Sequence, residues 1–139
     1  MQEKDPYVYR ICSVHKVVDG DTIDCDIDLG FDISLNQRIR LAGIDTPESR
    51  TKDLVEKKLG LEAKDFLKKK LSEYKGNIII KTEKIDSTEK YGRIIGWVYE
   101  EGKDLSINEM MINEGYAWSY LGDKKVKDFS ILESKRKLK

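Results

Sequence analysis

The sequence predicts an α+β fold, mainly β: a five-stranded Greek-key barrel with two to three helices. Three observations predict it. Over residues 22–29, Ile23, Cys25, Ile27 and Leu29 take one face while Asp24, Asp26 and Asp28 take the other, the pattern of a half-buried strand. The element order reads three strands, a helix, two strands, a helix and a tail helix, which is the order of an OB-type barrel. The chain has 139 residues, 39% hydrophobic and 37% charged, enough for one domain with a real core and a heavily charged surface.

Each element has its local reason. Residues 7–18 read as the first strand. Asp19-Gly20 reads as a type I′ hairpin turn, whose two central residues need positive φ, and residues 22–29 return as the second strand. With Val18 opposite Asp21, Cys12 falls opposite Ile27 and Val14 opposite Cys25. The two cysteines are then out of register for a disulfide and read as small buried hydrophobes. Gly30 turns the chain into a third strand over residues 31–42, with Ile39 and Leu41 on one face and Arg38 and Arg40 on the other. Pro47 lacks an N–H and biases Thr46 away from helix, so the chain stops abruptly there.

Residues 49–58 read as a polar loop. Leu59, Ala63, Phe66, Leu67, Leu71 and Tyr74 then form one helical stripe, with Lys68, Lys69 and Lys70 on the solvated face and Gly76 as the stop. Residues 77–83 and 94–100 are the fourth and fifth strands, and Gly96 marks a bulge or a close backbone approach. Ser106-Ile107-Asn108-Glu109 is a capping box. It starts a helix to Gly115 that buries Ile107, Met110 and Met111, with Leu105 and Met110 placed as a staple. A second such pattern, Ser130 to Glu133, starts a basic C-terminal helix. The organisation is a tail (1–6), one domain (7–122) and a basic tail or short helix of that domain (123–139).

Composition excludes several functions. No apolar run approaches the ~18 residues of a membrane span, so no membrane partner is expected. Residues 1–6 contain no apolar signal region, which predicts a cytoplasmic protein, or a secreted one if this N-terminus is a trimmed one. Two cysteines and the single His15 make neither a disulfide framework nor a zinc site. A net charge of zero argues against a binder that works through a broad cationic field. The charge is uneven, however: residues 19–32 hold six aspartates and no Lys or Arg, while residues 123–139 hold seven Lys/Arg against three acids. An EF-hand reading of Asp24 to Asp32 fails, because loop positions six and twelve are Leu29 and Leu35.

Chemistry gathers in three stretches, each at a strand end: Asp19-Gly20-Asp21-Thr22, Arg40 to Glu48, and Lys90-Tyr91-Gly92-Arg93. Carboxylates supply hard oxygens for a divalent cation, and guanidinium forks match phosphate. Tyr91, Trp118 and Tyr120 are aromatics available to a nucleoside, the latter two as base-stacking candidates. Lys90 is suited to a neighbouring phosphate.

In these motifs, and over roughly residues 8 to 122, the chain resembles the staphylococcal-nuclease-like (thermonuclease) domains. The resemblance implies a Ca²⁺-dependent endonuclease on an OB-fold barrel. Such an enzyme hydrolyses single- and double-stranded DNA and RNA with little sequence specificity, releasing the 5′-oxygen and leaving 3′-phosphate ends. It implies that Asp21 and Asp45, helped by the Thr46 carbonyl, hold the Ca²⁺, with Asp19 acting from outside through water. Glu48 would orient or deprotonate the attacking water, and Arg40 and Arg93 would grip the phosphodiester from two sides. A monomer is expected. The segment Tyr116-Ala117-Trp118-Ser119-Tyr120 and the Lys-rich run after it depart from the family pattern. The alternative is a catalytically silent nuclease-like OB module that binds nucleic acid or a protein partner. Such a module should lack Glu48, an arginine or the Asp21/Asp45 pair, and here all are present.

Overall fold

Alternating strands build the first half of the molecule: β1 (Tyr7–Asp19), β2 (Thr22–Gly30) and β3 (Ile33–Leu41), paired antiparallel in sequence order. The computed structural model describes residues 7–82, 94–120 and 128–137. The chain continues through β4 (Ile44–Asp45), α1 (Leu54–Glu73), β5 (Ile78–Thr82), β6 (Ile94–Glu100), α2 (Ile107–Asn113), β7 (Trp118–Ser119) and α3 (Phe129–Lys137).

Five strands close into a barrel in the order β1-β2-β3-β6-β5. β5 lies antiparallel on β1, and β3 meets β6 in a short parallel contact from Ile39↔Ile94 to Leu41↔Gly96. This is the α+β, mainly β barrel expected from the element order. The inward faces of the strands, including Ile11, Ile23, Cys25, Ile39, Leu41, Ile80 and Val98, form one core with Ala63, Leu67 and Leu71 of α1 and Ile107 and Met111 of α2. The closing contacts are short: β1 pairs with β5 only from Tyr7 to Ile11, and β3 with β6 only from Ile39 to Leu41.

Several local expectations are corrected. Asp19 pairs with Thr22, so the first turn is Gly20-Asp21, and Gly20 is not in the left-handed region. Gly20 is needed for space: a Cβ there would stand 2.8 Å from Ala63 Cβ of α1 and 3.1 Å from Thr46 Cγ2. The positive-φ turn lies one hairpin later, at Phe31 (φ 56°) and Asp32 (φ 60°), between the paired residues Gly30 and Ile33. Ile11, rather than Cys12, opposes Ile27, because β1 bulges between Ile11 and Ser13. Cys12 is therefore exposed, whereas burial pushes the Cys25 thiol up to about 12. Leu29 is exposed beyond the end of the core.

The helix expected from Leu59 begins at Leu54, inside the stretch read as a loop, because Asp53 caps it. In α2 the capping box forms as expected, but Asn108 is buried and Met110 only half-buried. The last helix is capped by Asp128, which accepts from Ser130 N and Oγ, and not by Ser130 itself. Gly96 does mark a close approach: a Cβ would meet Ile80 at 2.7 Å.

Candidate functional site

The barrel's strand ends deliver carboxylates and an arginine to one place. Thr22 pairs with Arg40 across β2 and β3, and Leu41 N–H donates to Asp21 C=O at 2.8 Å, so Asp21 and Arg40 are neighbours by register. Gly43, in the left-handed region (φ 76°) and packed against the Trp97 ring, then turns the chain into β4. β4 pairs antiparallel with β7, Ile44↔Ser119 and Asp45↔Trp118, and Tyr120 N–H donates to Gly43 C=O at 2.8 Å. This small second sheet holds Asp45 beside Asp21.

Asp21, Asp45 and Thr46 are all buried, and the Arg40 side chain is only 11% exposed. Asp21 Oδ1 accepts from the Thr22 hydroxyl at 2.9 Å, and its Oδ2 accepts from Thr46 N–H at 3.3 Å. Arg40 lies between the carboxylates, Nη1 3.5 Å from Asp21 and Nη2 3.7 Å from Asp45. These are ion pairs too long to be hydrogen bonds. The close bond of the guanidinium goes to Leu41 C=O at 2.9 Å. Two buried acids therefore lie within ion-pair distance of the same guanidinium.

Around this centre, Asp19 accepts from the Ser49 hydroxyl at 2.5 Å. Glu48 is exposed, and its backbone N–H donates to Glu56 Oε2 at 3.1 Å. Glu56 is buried in the first turn of α1. Gly60, one turn further, lies directly under the Pro47 and Glu48 carbonyls. Ser49, Glu56 and Gly60 belong to none of the three motifs and join the site only through the fold. The spacing Asp53-x-x-Glu56 is an N-terminal helix signature that identifies the start of α1, but only the fold shows that Glu56 turns toward Glu48.

The structure thus brings together Asp19, Asp21, Arg40, Asp45, Thr46 and Glu48. Trp118 is buried, its indole N–H donating to Asp128 C=O at 2.9 Å and its ring tilted on Phe129 with centroids 5.7 Å apart. Tyr120 is half-buried just after β7. Lys90, Tyr91 and Arg93 lie outside the described residues.

No three His, Cys, Asp or Glu side chains gather into a metal cage among the described residues. The available donors are a carboxylate pair, Asp21 and Asp45, with the Thr46 carbonyl. Hard oxygens of this kind suit a cation that completes its shell with water or substrate oxygens.

Residues 38–137 match the staphylococcal nuclease homologue family. An uncharacterized protein of Bacillus anthracis is 35% identical over 100 residues, 72% of this chain and 42% of its own length. The thermonuclease of Staphylococcus hyicus is 35% identical over 104 residues, 75% of this chain and 56% of its own. An uncharacterized protein of Methanocaldococcus jannaschii is 29% identical across 89% of this chain and 66% of its own. The chain spans about half the length of the curated relatives it matches.

Proposed function

The chain belongs to the staphylococcal nuclease homologue family, and from that premise we propose that it is a Ca²⁺-dependent endonuclease cleaving DNA and RNA to 3′-phosphate ends. The observation that carries the reading is the grouping of Asp21, Arg40 and Asp45, with Arg40 within 3.7 Å of both acids and Glu48 at the nearby loop. A scaffold gains little from burying two carboxylates beside a guanidinium at ion-pair distance, since desolvating the charges offsets their attraction.

In this reading Asp21, Asp45 and the Thr46 carbonyl hold the cation, which their chemistry fits. Bound there, Ca²⁺ supplies positive charge that polarises a phosphoryl oxygen. Arg40 has its fork aimed by the Leu41 carbonyl and holds phosphate oxygens in two-pronged fashion, offsetting charge that builds in the transition state. Glu48 is exposed to water and accepts its proton as that water attacks phosphorus. Its backbone is anchored by Glu56. Asp19, fixed by Ser49, orients water from the side. We assign Arg93 the second grip on the phosphate, and Lys90 and Tyr91 contacts to the substrate. Tyr120, half-buried, is preferred for stacking over Trp118, which is buried with its indole N–H bonded to Asp128 C=O. Backbone contact and stacking tolerate any base, so little sequence preference follows.

The test is degradation of single-stranded DNA, duplex DNA and RNA by the purified protein with Ca²⁺, with Mg²⁺ and with EDTA. Ca²⁺-dependent cleavage that falls ~10²-fold or more in Glu48→Gln and in Arg40→Lys is expected. Ca²⁺ should also raise the melting temperature of the wild type but not of Asp45→Asn. Nucleic-acid binding without cleavage under any condition would overturn the reading and leave the silent module.

A further inference from the structure

A second surface carries positive charge away from the carboxylate centre. Between the bulged outer face of β1 and the C-terminal half of α1 runs an open groove of about 540 Å³. Its floor is apolar, with Ile11 and Leu71, and its walls bear Lys16, Lys64, Lys68 and Lys75. No Asp or Glu lines it among the described residues. None of the four lysines makes an ion pair with a described residue. Lys16 stands across the strands from Asp24, but that carboxylate is held by Arg38 at 2.7 Å. Lys64 and Lys68 are an i,i+4 pair of like charge, which costs helix stability unless something neutralises it. Lys16 also helps hold the Asp24 carboxyl ionised, while Lys64, Lys68 and Lys75 have no ion pair among the described residues, a local excess of positive charge in a chain whose net charge is zero.

The groove leads toward the candidate site. Val17 lines it, and Asp19, two residues on in β1, is bonded to Ser49. Lys64 follows Ala63, the residue against which Gly20 of the Asp19–Asp21 turn packs. From Ile11 to Val17 the β1 wall is about 20 Å long at ~3.3 Å per residue. The lysines are spread along the groove and do not converge on one point. That arrangement suits a succession of phosphates, because an ammonium is a point charge that tolerates varied phosphate geometry. The apolar floor suits sugar and base faces.

We propose that this groove holds the phosphate backbone of the substrate strand beyond the point of cleavage, and so sets a preference for long substrates. The inference rests on the nuclease reading for the presence of a strand at the carboxylate centre. It also converts Lys68 from a solvated helix residue into a strand contact.

The test uses the full chain in EDTA, with a fluorescent 12-residue thymidine oligonucleotide and a thymidine dinucleotide as probes. Binding is compared for the wild type, a variant with Lys16, Lys64, Lys68 and Lys75 all changed to Gln, and one with all four changed to Arg. Circular dichroism melts check that each is folded, and the pair Lys64→Gln/Lys68→Gln replaces the fourfold variant if that one is not. The Gln variant should bind the 12-mer ~10-fold or more weakly, with a shallower salt dependence by up to ~0.7 per lost phosphate contact. The Arg variant should bind like the wild type, and the dinucleotide should not distinguish the three. Equal affinity of wild type and Gln variant for the 12-mer would overturn the groove while leaving the nuclease reading intact. Loss of 12-mer binding in the Gln variant of a protein that cleaves nothing with Ca²⁺ would support the groove and overturn the catalytic reading.

Discussion

The backbone of Glu48 is placed by two residues of α1. Its N–H is held by Glu56, and its carbonyl lies over Gly60, where a Cβ would stand 2.4 Å from Glu48 O and 2.7 Å from Pro47 O. Both obstacles are backbone, so neither can rotate away. An alanine in a helix ordinarily stabilises by ~1 kcal/mol relative to glycine. At position 60 the clash should win, and Gly60→Ala should destabilise by ~1–3 kcal/mol, read from urea unfolding. If Glu48 acts as proposed, the same variant should lower kcat more than it changes KM. A stabilised Gly60→Ala protein would refute this packing argument. The candidate site was legible here in part: Asp21, Arg40, Asp45 and Glu48 stand in recognisable motifs, whereas Glu56 and Gly60 act across a turn that only the folded chain creates.

Among the elements, α2 is joined to the barrel by the apolar packing of Ile107 and Met111 and by the polar side chain of Asn108. Asn108 Oδ1 accepts from Val98 N–H at 3.0 Å, while its Nδ2 donates to Ala42 C=O at 2.8 Å and Gly96 C=O at 3.2 Å. It thereby joins α2, β6 and the exit of β3 that leads to Asp45. The capping box predicted where this helix starts, since the Ser106 and Glu109 bonds are local. It said nothing of Asn108, whose partner Ala42 is 66 residues away. Asn108→Ala would leave the buried Val98 N–H and the Ala42 carbonyl short of a partner, at ~1–3 kcal/mol for each group left unsatisfied, while Gly96 C=O keeps its bond from Ala42 N–H at 2.8 Å. A loss of about 3 kcal/mol or more is expected in urea unfolding, against ~1 kcal/mol for a simple hydrogen-bond deletion. A loss well under 1 kcal/mol would show that the network is replaced by water.

For the whole molecule, hydrogen-bonded surface carboxylates on β2 and just after β6 make stability depend on pH. Hydrogen bonds from Arg38 hold the Asp24 carboxyl below its ordinary range, those from Asn36 and His15 do the same for Asp26, and Arg10 does so for Glu101. Groups whose pKa is lower in the folded chain contribute stability above the ordinary carboxylate range of about 4, and lose it as pH falls through their folded values. The melting temperature should therefore stay level with respect to these groups from neutral pH to about 5 and fall below about 4. The effect should be modest and weaken in high salt, because these pairs are on the surface. Asp24→Asn should flatten part of the acid limb in thermal melts across pH, and an unchanged limb would remove Asp24 from the explanation.

The sequence by itself determined the faces of β2 and β3, the helical stripe of α1, the capped start of α2 and the motifs that bear the carboxylates and arginines. These follow from side-chain period, capping chemistry and residue type, all properties of a few consecutive residues. The tertiary structure decided what depends on distant approach. It moved the positive-φ turn from Asp19-Gly20 to Phe31-Asp32, because Gly20 answers to Ala63 and not to its own hairpin. It paired β4 with β7 and buried Trp118 against Phe129. It also set Arg40 between two acids, one of them across a strand pair and the other past the turn at Gly43. The Gly20–Ala63 and β4–β7 contacts join parts of the chain tens of residues apart, and even Arg40 and Asp45, five residues apart, depend on the turn at Gly43, so no window of consecutive residues contains the reason for them.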